Sequence, residues 1–265
     1  MKIGFAQFDV AMLDRSANLL AIDRLAATAS EADLLVFPEL ATSGYDFIDA
    51  AEVDAIAETF GAGPTSEAAA RLADRHGMSL VVGYPERAPD GFYNSCLLAV
   101  PGGRLFNYRK IHLFSREKLF FRPGDSPPSV VDTPAGRVGM MICFDWIFPE
   151  TARCLALEGA QIIAHPSNLV LEWCQRAMFA RSAENRVFTV TANRIGAEDR
   201  AGRKLTFSGA SQIVSPSGEY VVRAPETEEH VAVAELDPSK ADSKRITEFN
   251  DLWDDRRPDL YRRLS

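Results

Sequence analysis

Blocks of apolar positions along the chain change their spacing in a way that marks most of the elements. Residues 2–10 are almost continuously apolar and read as a buried strand. From 17 to 32, Leu19, Leu20, Ile22, Leu25, Ala26 and Ala29 recur at helical spacing, which predicts an amphipathic helix. Residues 33–37 form a second apolar strand, closed by Pro38. Pro64 then opens a helix over 67–76, with Thr65 or Ser66 as its cap and Gly77 at its end. Strands follow at 78–84, 94–100 and 105–108, the last two joined by Pro101-Gly102-Gly103.

The middle of the chain echoes its start. Arg137-Val138-Gly139 parallels Lys2-Ile3-Gly4, each opening an apolar strand, here 138–143. A helix over 149–158 begins with Pro149, a residue favoured at the first helical position. Residues 160–167 then align without a gap on residues 32–39. Two strand–helix–strand units imply two similar halves, each a sheet with helices on one face, packed together. A helix is expected at 171–185 and strands at 186–192, 205–214, 220–223 and 231–236, with a turn at 215–218. Residues 237–265 form an arm with basic and acidic side chains in equal number and Phe249, Trp253 and Tyr261 between them. Large aromatics on a polar arm anchor it to a neighbouring surface, of this subunit or another. No Gly/Ser-rich or Pro-rich linker divides the chain, so one domain over 1–265 is expected.

Composition narrows the function classes. The chain has 265 residues with 46% apolar and 25% charged side chains, enough to bury a sizeable core. Its formal net charge is −8, and it lacks the basic stripe that nucleic acid requires. Asp9 interrupts the opening apolar stretch, so no secretory signal is expected. The longest run without a charge, 205–218, is too short and too rich in serine to span a bilayer, so no membrane partner is expected. Four scattered cysteines without a C-x-x-C pair fit a reducing compartment, and the cytoplasm is the expected location. Four separated histidines give no local metal site, and no glycine-rich phosphate loop follows a strand. A protein without metal or cofactor is the simplest expectation.

Cys143 is the most suggestive residue. At the end of a strand and before a helix, a thiol meets backbone N–H groups that favour thiolate and bind a developing anion. Taken alone it is more readily a small core hydrophobe, as most free cysteines are. Glu39 directly follows the strand at 33–37, which the two-half arrangement places at the same rim as Cys143. A solvated loop acid is one reading; a partly buried carboxylate with a raised pKa, suited to proton transfer, is the other. Lys110, between Arg109 and Ile111, is either surface decoration or an electrostatic stabiliser of an oxyanion. Tyr45, Trp146, Phe148 and Asn168 follow these strand ends and either line a substrate pocket or simply pack. Arg176, Arg181 and Glu184 read as structural pairs on one helix.

The chain resembles the nitrilase superfamily of carbon–nitrogen hydrolases. The blocks that carry the resemblance are FPEL at 37–40, YRKIHLFSREKLFF at 108–121, ICFDWIFPE at 142–150, HPSNL at 165–169, AENRVF at 183–188 and ANRIG at 192–196. They occur in the family's order and span nearly the whole chain. The resemblance implies an α/β fold, a four-layer α-β-β-α sandwich, and a Glu–Lys–Cys triad without metal. Glu39 matches its general base, Lys110 its oxyanion-stabilising lysine and Cys143 its nucleophile; Glu117 is similar to a second glutamate that orients substrate and lysine. The implied reaction cleaves a small amide or nitrile to an acid and ammonia through a thioester, with the backbone N–H of Phe144 helping to hold the oxyanion. It also implies a homodimer or larger assembly contacted through the C-terminal segment. Hydrolysis of an N-carbamoyl amine or amino acid is the alternative within the family. Alternatives from other function classes are a catalytically silent member serving as a binding or assembly subunit and a Cys–His protease, for which no motif specifies the histidine, His112 and His165 reading as positioning or structural residues.

Overall fold

The first half of the chain builds most of one sheet and the second half builds its counterpart, with the last strand returning to the edge of the first sheet. A computed structural model describes residues 1–261. The first half runs through β1 (Lys2–Gln7), α1 (Arg15–Thr28), β2 (Leu34–Val36), α2 (Ala50–Ile56), α3 (Pro64–His76), β3 (Ser79–Ala88), β4 (Gly91–Val100) and β5 (Arg104–Arg109). The second half runs through β6 (Val130–Thr133), β7 (Gly136–Met140), α4 (Pro149–Leu157), β8 (Ile162–Ser167), α5 (Cys174–Asn185) and β9 (Phe188–Asn193). It continues with β10 (Ala197–Arg200), β11 (Arg203–Thr206), β12 (Gln212–Val214), β13 (Tyr220–Arg223) and β14 (His230–Glu235).

One sheet has the order β14-β1-β2-β3-β4-β5 and the other β13-β12-β9-β8-β7-β6. In each, three parallel strands (β1-β2-β3 and β7-β8-β9) are flanked by antiparallel ones. The correspondence of 32–39 with 160–167 therefore maps β2 onto β8. Alternation along β2 sets the layering: Leu34 and Val36 face the other sheet, while Leu35 and Phe37 pack with Ile22 and Leu25 of α1 and Leu72 of α3. Leu155 of α4 and Met178 of α5 join the second sheet's side of the core. The layers run helices, sheet, sheet, helices, the α/β sandwich the sequence implied. Asp14 caps α1 by accepting from the Ala17 N–H at 2.9 Å.

Several boundaries differ from expectation. α3 begins at Pro64 with Gly63 in the cap position, so neither Thr65 nor Ser66 caps it. Thr65 instead bonds Glu58 through its N–H at 2.8 Å and its hydroxyl at 2.7 Å. The strand expected at 205–214 is broken: Leu205 belongs to the β10–β11 hairpin, and Gly209 and Ala210, at φ 53° and 52°, turn the chain before β12. A Cβ on Gly209 would lie 2.0 Å from Glu226 O, so the turn is tied to glycine. α2 was not expected from the apolar spacing. The strand expected at 138–143 stops at Met140, which moves Cys143 off the strand and into the turn that follows. Within the arm, Trp253 lies between Arg153 and Lys244 of the same subunit, whereas Phe249 is 84% exposed. The arm's last four residues lie outside those described.

Candidate active site

Two strand ends and two turns deliver the candidate residues to one buried place. Glu39 follows Pro38 beyond β2, where β3 comes unusually close: the Gly83 N–H donates to Pro38 O at 3.2 Å. A Cβ on Gly83 would sit 2.5 Å from Leu40 N and 2.7 Å from Glu39 Cα, so only glycine permits this approach. The next residue, Leu40, turns the chain at φ 46°. Lys110 follows β5, its N–H bonded to Asn94 O and its carbonyl to Gly124 N–H, both at 2.8 Å. Glu117 lies in a short 3₁₀ turn, Ser115–Leu119.

Cys143 opens a second 3₁₀ turn, Cys143–Ile147, with φ 41°. A left-handed non-glycine residue costs on the order of 1–3 kcal/mol, so the surroundings must hold it there. Asp145, fully buried, does much of this: its carboxylate accepts from Ile142 N–H at 2.9 Å, His112 N–H at 3.0 Å and Tyr108 OH at 2.7 Å. His112 Nδ1 lies 2.8 Å from the same carboxylate. On the other side, His165 Nε2 lies 2.9 Å from Cys143 O. A carbonyl only accepts, so that nitrogen carries the proton and Nδ1 accepts from Thr191 Oγ1 at 3.1 Å. Burial lowers the His165 pKa to about 4, which keeps the ring neutral.

The charged groups converge. Lys110 Nζ lies 2.6 Å from Glu39 Oε1 and 2.7 Å from Glu117 Oε1, with lysine and Glu39 fully buried and Glu117 nearly so. Asn94 Nδ2 donates to the same Glu39 oxygen at 2.6 Å, and Tyr45 OH to Glu117 Oε1 at 2.6 Å. The outer oxygen of each glutamate, Oε2, has no hydrogen-bond partner among the described residues. Burial works to lower the lysine's pKa, but the two carboxylates outweigh it and hold the ammonium above its ordinary value. Burial pushes Glu117 up to about 7, with Lys110 pulling the other way. Burial and then the Glu39 charge raise the Cys143 thiol, opposed by Lys110, so the resting sulfur is protonated. Its Sγ faces Asn168 O at 3.9 Å, and the residue keeps 5% exposure.

This set can perform acid–base and nucleophilic chemistry with clear roles. Lys110, held as a cation between two carboxylates, is no base and can only stabilise negative charge. Glu39 has a free oxygen to take a proton. Neither histidine approaches the sulfur, since His165 is committed to the Cys143 carbonyl and His112 to Asp145; the protease alternative loses its base. The Phe144 N–H lies in the first turn of a 3₁₀ segment, where leading N–H groups lack an acceptor within the turn.

The other candidates separate. Tyr45 lines a cavity of about 120 Å³ together with Glu117, Phe47, Phe121 and Leu205. Trp146 is buried edge-on against Trp173 at 4.9 Å, and Asn168 is buried with both amide atoms unpartnered; neither is a wall of that cavity. Phe148 stacks on His112 at 3.7 Å and lines a different depression from Tyr45, so of the two readings left open for it the structure shows packing. Arg181 pairs with Glu184 at 2.7 Å and holds Trp146 O at 2.9 Å, whereas Arg176 is exposed and outside that pair.

Asn94, Asp145 and the fully buried Arg194 were not singled out from the sequence. Arg194 bonds Glu198 at 2.5 Å, and Glu198 accepts from Tyr45 N–H at 3.1 Å and Asp46 N–H at 2.6 Å, fixing the loop that carries Tyr45. Asp145 and Arg194 lie inside matched blocks, ICFDWIFPE and ANRIG, and that was the available signal. Among the described residues no cluster of three or more metal-binding side chains occurs, and no helix is long and apolar enough to cross a membrane.

Comparison with known proteins places this geometry in context. The family model described as carbon-nitrogen hydrolase matches residues 2–246. A nitrilase of Pyrococcus abyssi is 44% identical over 263 residues, covering 98% of this chain and 99% of the relative. An N-carbamoylputrescine amidase of Solanum lycopersicum is 34% identical over 275 residues, covering 95% of this chain and 90% of the relative. Among solved structures, an amidase from Nesterenkonia sp. AN1 with acrylamide added at its active-site cysteine superposes with a TM-score of 0.82. Its sequence is 29% identical, with 100% of both chains covered.

Proposed function

The chain belongs to the carbon–nitrogen hydrolase family, whose members act on non-peptide C–N bonds, and from that membership we propose that it hydrolyses a small amide to a carboxylic acid and ammonia through a thioester on Cys143. The observation that carries the proposal is the buried ammonium of Lys110, bridging Glu39 at 2.6 Å and Glu117 at 2.7 Å while its charge acts on the Cys143 thiol.

Glu39 Oε2 takes the proton of Cys143 as the sulfur attacks the amide carbon. The carbonyl oxygen becomes an oxyanion held by Lys110 Nζ and the Phe144 N–H. The C–N bond then breaks with transfer of the Glu39 proton to nitrogen, releasing ammonia and leaving a thioester. Glu39, again ionised, takes a proton from water, which attacks the thioester. Collapse returns that proton to sulfur and releases the acid. Glu117 stays in place throughout, holding Lys110 and offering Oε2 to the substrate's N–H. A nitrile would first form a thioimidate, which adds one water and loses ammonia to reach the same thioester. Trp146 and the free amide of Asn168 are assigned to substrate positioning, as is Tyr45.

The relative named N-carbamoylputrescine amidase favours a second reading, N-carbamoyl hydrolysis, which uses the same attack on a carbonyl bearing an NH₂ group. The presence of Glu39, Lys110 and Cys143 together argues against a silent assembly subunit. In this proposal the enzyme is cytoplasmic, takes a small-molecule substrate without nucleic acid, membrane or cofactor, and uses the exposed arm aromatics in a homodimer contact. The test is ammonia release from short aliphatic amides, dinitriles, ω-amides and N-carbamoyl compounds. Release from at least one of them, lost in Cys143→Ala, is expected; turnover unchanged in that variant would overturn the mechanism.

A further inference from the structure

His165 sits behind the nucleophile turn rather than at its sulfur. It lies on β8 in register with Thr191 of β9, and it is fully buried. Thr191 Oγ1 donates to Nδ1 at 3.1 Å, and the Nε2 N–H donates to Cys143 O at 2.9 Å. The Ser167 hydroxyl lies 3.1 Å from the same Nε2 and takes a share of its proton, while donating in turn to His165 O at 3.2 Å. Cys143 O belongs to the same peptide group as the Phe144 N–H. That peptide is trans, so its two polar bonds point in opposite directions, the carbonyl at the imidazole and the N–H away from it. The Phe144 N–H has no hydrogen-bond acceptor among the described residues. Tying the carbonyl therefore fixes where the free N–H points. A donor on the oxygen also polarises the conjugated peptide and makes its N–H a stronger donor, an effect that buried surroundings preserve.

We propose that His165 is a positioning residue for the oxyanion: it aims and polarises the Cys143–Phe144 peptide, so that the Phe144 N–H meets the negative charge developing on the substrate oxygen. This goes beyond the hydrolase reading and rests on it. The competing explanation is that His165 only holds Cys143 at its left-handed φ of 41°. In that case its loss displaces the sulfur and slows every reaction of the thiol. A residue that serves the peptide N–H instead matters only where charge builds on a carbonyl oxygen. Alkylation by iodoacetamide separates the two. There the sulfur displaces iodide at a saturated carbon, the S–C bond forming as the C–I bond breaks, and the thiol proton goes to the same base without an oxyanion.

The test compares His165→Asn, whose short amide still accepts from Thr191 but does not reach Cys143 O, with His165→Gln, whose longer amide places an N–H near Nε2. Ammonia release from an amide substrate and iodoacetamide alkylation of Cys143 are measured on each. In His165→Asn, kcat should fall by on the order of tenfold, less than the ~100–1000-fold of deleting an oxyanion donor outright. Its alkylation rate should stay within a few-fold of wild type, with amide binding to the Cys143→Ala form unchanged, and His165→Gln should recover most of the loss. Should His165→Asn fail to fold, His165→Leu, which fills the ring's space without a donor, takes its place. Hydrolysis and alkylation falling in parallel, or hydrolysis unchanged, would overturn the assignment. A short aliphatic aldehyde gives a readout without turnover. It forms a hemithioacetal, sulfur bonding to carbon while the thiol proton passes to oxygen, and its affinity is read as protection of Cys143 from alkylation. That affinity should weaken in His165→Asn by about the same factor as kcat. Aldehyde protection that depends on His165, in an enzyme releasing ammonia from no amide, defeats only the hydrolase reading. Ammonia release by the wild type, with hydrolysis and alkylation lost together in the variant, defeats only this inference.

Discussion

Replacing Lys110 by methionine removes one ammonium and keeps most of its volume, so the consequences are electrostatic. Two carboxylates then face each other in a fully buried place with no cation between them. Even with Lys110 present, Glu117 is raised from 4.5 to about 7. Without it, the remaining burial and the Glu39 charge act unopposed, and Glu117 rises further. A raised carboxyl pKa contributes stability that is fully present below the unfolded value near 4.5 and is lost as pH rises through the folded value. Wild type and variant both hold that proton below about pH 7, so the variant should weaken further relative to wild type mainly from pH 7 upward. The difference grows by up to about 1.4 kcal/mol per pH unit for each extra proton held. The ceiling is the ~3–5 kcal/mol associated with an uncompensated buried charge. Activity should fall by ~100–1000-fold at every pH, the scale of losing one oxyanion donor. Denaturant titrations at pH 5, 6, 7 and 8, beside ammonia release, read both effects. A stability loss independent of pH, or activity within a few-fold of wild type, would refute the placement of Lys110 between two carboxylates.

Glu117→Gln should retain the fold, lose most activity, and show a flatter dependence of melting temperature on pH. The wild-type residue costs on the order of 3 kcal/mol as pH rises from 4.5 through 7, and the amide has no such titration. Parallel melting curves for the two proteins from pH 5 to 8 would count against it. Gly83→Ala should lower kcat more than its stability loss of about 1–3 kcal/mol suggests, because the added methyl meets the backbone that carries Glu39. A variant that melts lower but turns over normally would show that Glu39 does not depend on that approach.

What the sequence disclosed followed from distance along the chain. The repeated strand–helix–strand units were visible because each is a local pattern, and their equivalence led directly to two facing sheets. Glu39, Lys110 and Cys143 were visible as ends of apolar runs and as parts of matched blocks. The turn at Cys143 was not, because nothing in the spacing of 138–143 distinguishes a continuing strand from one that stops at Met140. That stop depends on Asp145 collecting donors from Tyr108 and His112, more than thirty residues earlier. The hold on Tyr45 similarly depends on Glu198, 153 residues away, and on the Arg194 that pairs with it. Phe148 illustrates the converse: closeness to Cys143 in sequence did not bring it to the cavity lined by Tyr45 and Glu117, and it stacks on His112 instead. Sequence marked Glu39, Lys110 and Cys143, the candidate reacting groups that the structure brings together, better than the groups that hold them.

The most direct test is rapid-quench mass spectrometry of the wild-type enzyme mixed with an amide from which it releases ammonia. A peptide containing Cys143 that carries the mass of the acyl group, and is absent when Cys143 is alanine, is the predicted result. An acyl group on any other residue, or full-rate turnover by Glu39→Gln with no adduct at Cys143, would contradict the account.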